Sequence, residues 1–268
     1  MLIASKPDMH FHPTRWGFVL GLAGVLALTA TAPAAPVVID GVPAHNWYHG
    51  CGPTSLGSVL GYWDLHGCPN LFDAQGGAVY LTANVQDQLS SPAHNAKYDP
   101  TPDDANLPAP PFTSIADWLG TSVDPLDNGW SYVTAIPGAF KGYATYRGYA
   151  FNATIKRFWA GGFTWTDLTR EVDAGRPVLL AVDTQGASQT DHFVSAFGYD
   201  DRGADGKWYG FYTGWSEDET VVWKLFQAGG TPWGITWGTI VTPPVPEPAT
   251  LSLLGMGILA LLRKRGRA

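Results

Sequence analysis

Residues 47–64 read Trp47-Tyr48-His49-Gly50-Cys51-Gly52-Pro53-Thr54-Ser55-Leu56-Gly57-Ser58-Val59-Leu60-Gly61-Tyr62-Trp63-Asp64, and the fold turns on how this stretch is read. Pro53 suits the first turn of a helix, where its missing N–H is no loss. Leu56, Val59, Leu60 and Trp63 then fall at i, i+3, i+4 and i+7. Gly52, Gly57 and Gly61 lower the intrinsic propensity, which is tolerated where a helix packs closely against its neighbours. The stretch predicts a buried central helix following Cys51. A thiol at a helix start meets unpaired N–H groups and the positive end of the dipole, both of which stabilise a thiolate. Taken alone, a free Cys there is more commonly a packing residue, so a partner base has to be found elsewhere.

Outward from this helix, Thr164 and Asp167 stand at capping-box spacing for a helix over 164–174, with Gly175 at its exit. Pro177 opens an apolar strand over 178–183, 192–199 alternates into a second, and 198–206 reads as a turn. Segments 208–215 and 220–225 complete an aromatic-rich antiparallel group. Further helices are expected over 114–119 and 139–147, a short strand over 36–42, and a proline-rich surface loop over 95–112. Asn152-Ala153-Thr154 fits a glycosylation acceptor. No internal repeat is evident. Helices first and antiparallel strands last describe a segregated α+β domain.

The only other cysteine is Cys68. A helix from Pro53 to Asp64 is about 18 Å long. The four residues that follow reach back at most about 14 Å, so no Cys51–Cys68 disulfide is expected. Among the histidines, His45 and His49 lie just before Cys51, while His66 and His94 are read in turns. His192 differs, because it opens a strand after Gln189-Thr190-Asp191 and follows the capped helix. A nucleophile on the central helix with a base arriving late, on the sheet, is a Cys–His arrangement for nucleophilic catalysis. The spacing of His45, His49 and His192 matches no common zinc motif, and no metal or cofactor is expected.

Gly50-Cys51-Gly52-Pro53-Thr54 with Gly61-Tyr62-Trp63-Asp64, then Gly175-Arg176-Pro177-Val178 and Asp191-His192-Phe193-Val194 through Gly198-Tyr199-Asp200, resemble a papain-like cysteine peptidase. The nearest type is the bacteriocin-processing (double-glycine-leader) peptidases and their stand-alone relatives. The resemblance implies a central N-terminal helix packed on an antiparallel sheet, with Cys51 as nucleophile and His192 as general base and acid. Two positions depart from the pattern. Where that family places an oxyanion-hole Gln, this chain has His45 with Asn46 beside it. Where it places an Asp or Asn that orients the imidazole, on the strand after the His strand, this chain has Thr213. The expected function is hydrolysis of a peptide or isopeptide bond in a peptide or protein substrate. The alternative, motivated by His45, Thr213 and the late aromatics Trp233 and Trp237, is an inactive peptidase scaffold that binds peptide or polysaccharide.

Both ends read as addresses. Lys6 and Arg15 precede an apolar run from Trp16, and small residues follow through Ala35, as in a secretory signal peptide over residues 1–34 handled by the Sec machinery. At the other end Val245-Pro246-Glu247-Pro248-Ala249 leads into an apolar stretch over 251–262 and the basic close Arg263-Lys264-Arg265-Gly266-Arg267. That stretch is shorter than the roughly 20 residues of a comfortable transmembrane helix. Together these residues resemble the PEP-CTERM tag of Gram-negative bacteria. The resemblance implies a short transmembrane segment, export across the inner membrane, processing by an exosortase, and a cell-surface or matrix location. The organisation expected is a signal over 1–34, a peptidase domain over 35–242 and a sorting segment over 243–268. With 15% charged residues and a net charge of -7, the chain presents no basic stripe for nucleic acid.

Overall fold

The computed structural model describes residues 35–72, 83–98, 112–124, 129–159, 161–215 and 220–243. The chain divides into two units, Met1–Ala32 and Pro33–Ala268, and every described residue belongs to the second. The signal at 1–34 and the sorting segment from 244 onward lie outside the described residues. The short transmembrane segment expected at 251–262 lies there too. Among the described residues no helix is long and apolar enough to cross a membrane.

The elements follow in the order β1 (Val37–Val38), α1 (Cys51–Leu65), α2 (Ala83–Leu89), α3 (Pro92–Tyr98), α4 (Ile115–Leu119), α5 (Ile136–Tyr146), β2 (Asn152–Arg157), α6 (Trp165–Asp173), β3 (Val178–Asp183), β4 (His192–Asp201), β5 (Lys207–Tyr212), β6 (Val222–Leu225) and β7 (Gly234–Thr242). Among the described residues seven strands form one antiparallel sheet in the order β2-β7-β3-β4-β5-β6, with β1 paired to the far end of β4. The architecture is α+β, with a central helix against an antiparallel sheet.

Helix α1 is buried throughout from Gly52 to Asp64, which explains why its apolar residues are not confined to one face. A Cβ on Gly57 would sit 2.2 Å from Leu89 Cδ2, so this glycine lets α2 approach the helix. Helix and sheet are joined by polar pins as well as by packing. Ser55 Oγ donates to the Phe193 carbonyl on β4 (2.7 Å), and Tyr62 Oη donates to the Gly175 carbonyl after α6 (2.7 Å). Helices α2 and α4 pack against α1, and α5 packs against α4 and β2. The capping box of Thr164 and Asp167 forms at the start of α6, and a second one, Ser114 with Asp117, starts α4. Strand β3 is buried at every residue.

Four sequence expectations need correction. His94 lies in α3 rather than a turn, buried, with Nδ1 3.1 Å from Asp117 Oδ1. The surface loop expected over 95–112 begins as the end of α3, and 99–111 lie outside the described residues. The 198–206 turn is shorter than expected, because β4 runs on to Asp201. Strands β2 and β7 were not anticipated, and Asn152-Ala153-Thr154 opens β2, paired residue by residue with Thr242, Val241 and Ile240.

Candidate active site

Cys51 is the first residue of α1, and its position is set by the turn before it. Gly50 has φ 135° and ψ 142°, a backbone state that side chains disfavour. Its carbonyl accepts from Thr54 Oγ1 (2.7 Å) and Thr54 N (3.2 Å), while Thr54 Oγ1 accepts from Tyr48 N (3.0 Å). Thr54 thus ties the incoming chain to the helix start. Gly50 and Gly52 leave room for a neighbouring segment. Added Cβ atoms would meet the Gly129 carbonyl at 2.7 Å and Ser131 Oγ at 2.5 Å, respectively.

His192 opens β4, paired with Val182 of β3, and is buried. One of its ring nitrogens, Nε2, lies 2.6 Å from the main-chain carbonyl of Thr213, just past β5. A carbonyl can only accept, so Nε2 carries the proton, and Nδ1 is left as the basic nitrogen of the neutral ring. The Trp215 ring lies against the imidazole at 4.6 Å between centroids, and Trp233 meets it edge-on at 6.2 Å. The Thr213 hydroxyl is used elsewhere, accepting from Trp215 N at 3.3 Å. The group that holds the imidazole is therefore a main-chain oxygen at the position where a side-chain acid was sought. Thr213→Ala is expected to keep the Cys51 alkylation rate within about threefold of wild type, because the carbonyl survives the substitution. A hundredfold fall would assign the orienting role to the side chain.

Cys51 and His192 line one cavity of about 320 Å³, with Trp47, Trp130, Asp191 and Trp215 on its walls. A second cavity of about 230 Å³, largely apolar, meets the first at Cys51, Trp130 and Asp191 and is walled by residues 130–134, Thr190 and Phe193. Sequence reasoning left that wall unassigned. Burial pushes the Cys51 thiol above its ordinary range. The N–H groups of Phe193, Cys51 and Gly52 act against this, and the Asp191 carboxylate acts with it. Burial likewise lowers His192, against the opposing pull of the Thr213 carbonyl and Asp191. Both shifts favour a neutral thiol beside a neutral imidazole in the resting site. Asp191, which sequence reasoning passed over although it adjoins His192, accepts from Thr184 N and Thr184 Oγ1, each at 2.8 Å.

The two oxyanion candidates are not brought to these cavities. His45 is buried beside Phe72 and Gly57, with neither ring nitrogen at hydrogen-bonding geometry. Burial lowers its pKa to about 4, and the nearby Gly57 backbone offsets this only in part. Asn46 is half-buried and lines neither cavity. Both cysteines are free, and Cys68 is buried in the core. Among the described residues no group of three or more His, Cys, Asp or Glu is arranged to hold a metal ion.

A cysteine at the start of a central helix, facing a cavity shared with a histidine at the start of a sheet strand, defines a papain-like fold. The chain belongs to the Peptidase_C39-like family, whose model matches residues 39–214, and residues 244–267 match the PEP-CTERM protein-sorting motif. No curated protein matches the chain. It is a surface-sorted, cysteine-peptidase-like protein.

Proposed function

We propose that the chain is an exported cysteine peptidase that cleaves a peptide or isopeptide bond through Cys51 and His192. The observation that carries this reading is the single cavity lined by both residues, with His192 Nε2 engaged by the Thr213 carbonyl. In this reading His192 Nδ1 takes the Cys51 proton as Sγ attacks the carbonyl carbon. The oxyanion is held by free N–H groups at the start of α1, that of Cys51 foremost, rather than by His45. His192 then returns the proton to the leaving amine, and a water molecule, deprotonated by the same imidazole, hydrolyses the thioester. His192 lines only one of the two cavities that meet at Cys51, so the leaving group belongs on that side, beside Trp215. The acyl part belongs in the apolar cavity against residues 130–134. Residues 1–34 direct Sec export, 35–242 form the working domain, and an exosortase removes the segment from 243 onward at the surface of a Gram-negative cell.

The test is the rate of Cys51 alkylation by iodoacetamide against pH, in wild type and His192→Ala. General-base assistance of about a hundredfold is expected at pH 7. With His192 lowered, this advantage should persist below pH 6.5 and fall only as the imidazole gains its proton. The variant should instead follow the thiolate fraction, climbing with pH and levelling off only above the raised thiol pKa. Equal rates across the range would overturn the enzyme reading. Trp47, Trp130 and Trp215, all exposed at the cavity, would then favour a binding scaffold for peptide or polysaccharide.

A further inference from the structure

We propose that Arg157 forms a subsite for a carboxylate of the substrate, located on the acyl side of the scissile bond; this rests on the peptidase reading above. Arg157 ends β2 and is exposed, yet its guanidinium is held in place. Its Cζ lies 4.8 Å from the ring centroid of Trp159 and 4.7 Å from that of Trp237. Among the described residues, cation–π contacts to two indoles hold the guanidinium without a hydrogen bond from its N–H groups, which are the groups that bind a carboxylate in a fork. No carboxylate among the described residues pairs with it, whereas Lys156 beside it is committed to Asp167 at 2.8 Å.

The surrounding cavity has a volume of about 370 Å³ and is lined by Arg157 and Trp159 together with Ser188, Thr190, Thr236 and Trp237. Its polar groups are matched to an acceptor. Thr236 Oγ1 donates to the Ala181 carbonyl (3.0 Å), so at its 2.6 Å contact with Thr190 Oγ1 the Thr190 hydroxyl is the donor. Neither threonine proton is then left for a ligand. The unspent side-chain donors among the lining residues are the Arg157 edges, the Ser188 hydroxyl and the indole N–H groups of Trp159 and Trp237. A carboxylate, which only accepts, fits that set; a neutral amide would set its own N–H group against donors.

Position relative to Cys51 follows from Thr190. This residue lines both the Arg157 cavity and the apolar cavity at Cys51, three residues before Phe193, whose N–H approaches the sulfur. A peptide extended along 190–193 passes from one cavity into the other. The side it occupies is the one without His192, where the acyl portion sits. The substrate class inferred is a peptide with Asp or Glu a few residues before the cleaved bond.

The test uses the full chain and peptidyl chloromethyl ketones, which alkylate a cysteine nucleophile after binding on the acyl side. Paired probes carry Glu or Gln at the second, third, fourth or fifth residue before the ketone, and modification of Cys51 is followed by peptide mapping. At one position the Glu probe should react about tenfold faster than the Gln probe. Arg157→Gln should bring that ratio to about one, Arg157→Lys should keep part of it, and the iodoacetamide rate should be unchanged in both variants. Equal rates for Glu and Gln at all four positions, or a preference that survives Arg157→Gln, would overturn the subsite while leaving the peptidase reading intact. If no peptidyl probe outpaces a simple alkylating agent in wild type, the peptidase reading itself fails, and the subsite with it.

Discussion

Replacing Asp183 by alanine is expected to destabilise the protein by about 2–4 kcal/mol and to slow Cys51 alkylation about tenfold, although Asp183 lines neither cavity at Cys51. Asp183 ends β3 and is fully buried. Its Oδ1 accepts from Gly186 N (2.7 Å) and Ala187 N (2.9 Å), and Oδ2 from Ser188 N (2.7 Å) and Gly230 N (2.8 Å). One carboxylate thereby organises the 184–191 loop and anchors a second segment to it. The loop delivers Thr184, Gln185 and Asp191 to the cleft and leads directly into His192. Without the carboxylate, four N–H groups lose their acceptor at once, and water reaches them only in part. The effect carries a pH signature. Burial alone would raise the Asp183 carboxyl, but the four N–H groups outweigh it and hold the pKa below the ordinary range. Its contribution is therefore complete above the unfolded-state pKa of about 3.9 and is lost as pH falls through the lower native value. Urea unfolding of wild type and Asp183→Asn should show a stability gap that is constant from pH 7 to about pH 5 and shrinks below about pH 4. A gap of the same size at pH 3 would mean that the charge does not matter.

The parts of the fold that were legible in the sequence are those whose signal is local. The apolar spacing from Leu56 to Trp63, the Thr164–Asp167 box and the continuous apolar run of β3 each report their own element. Strands β2 and β7 pair across about 85 residues, and neither carries a strong local pattern. Asn152 and Thr154 are exposed on an edge strand, so the alternation there is shallow. In β7, Gly238 reads as a breaker, but a Cβ there would sit 2.4 Å from the Phe163 ring. It is a strand glycine required by a neighbour distant in sequence. The turn expected at His94 is replaced by α3, of which Pro92 is the first residue, a place where proline is at home.

For the site, residue chemistry and chain order brought out Cys51 and His192, and the structure sets both on one cavity. What could not be read was anything that depends on main-chain groups or on where a side chain points. The Thr213 carbonyl and the Phe193 N–H have no signature, since every residue but proline has both groups. His45 stood at the right distance before Cys51 for an oxyanion donor, yet its ring turns into the core beside Gly57. The wall at 130–134 and the Arg157 cavity depend on long-range packing, which single-sequence periodicity does not encode.

Gly50→Ala should cost about 3–5 kcal/mol and remove most of the enhanced reactivity of Cys51, because two independent penalties coincide there. The first is conformational: φ 135° with ψ 142° lies where side-chain-bearing residues are strained by about 1–3 kcal/mol. The second is steric, since the added Cβ would stand 2.7 Å from the Gly129 carbonyl and 3.1 Å from both Pro53 Cδ and Thr121 Cγ2. The backbone can relieve these only by moving the 129–131 segment away or by reopening the turn that Thr54 closes on the Gly50 carbonyl. Either movement displaces the sulfur from the N–H groups of Phe193 and Gly52 or withdraws Trp130 from the cavity. Gly120→Ala is the matched comparison. Gly120 also has positive φ, 59°, but nothing lies within 4 Å of its would-be Cβ, so it should cost only about 1–2 kcal/mol and leave Cys51 unaffected. Urea midpoints and iodoacetamide rates for the two variants decide the matter. If Gly50→Ala is no worse than Gly120→Ala in either measure, close packing of the 129–131 segment on the helix start does not position the nucleophile.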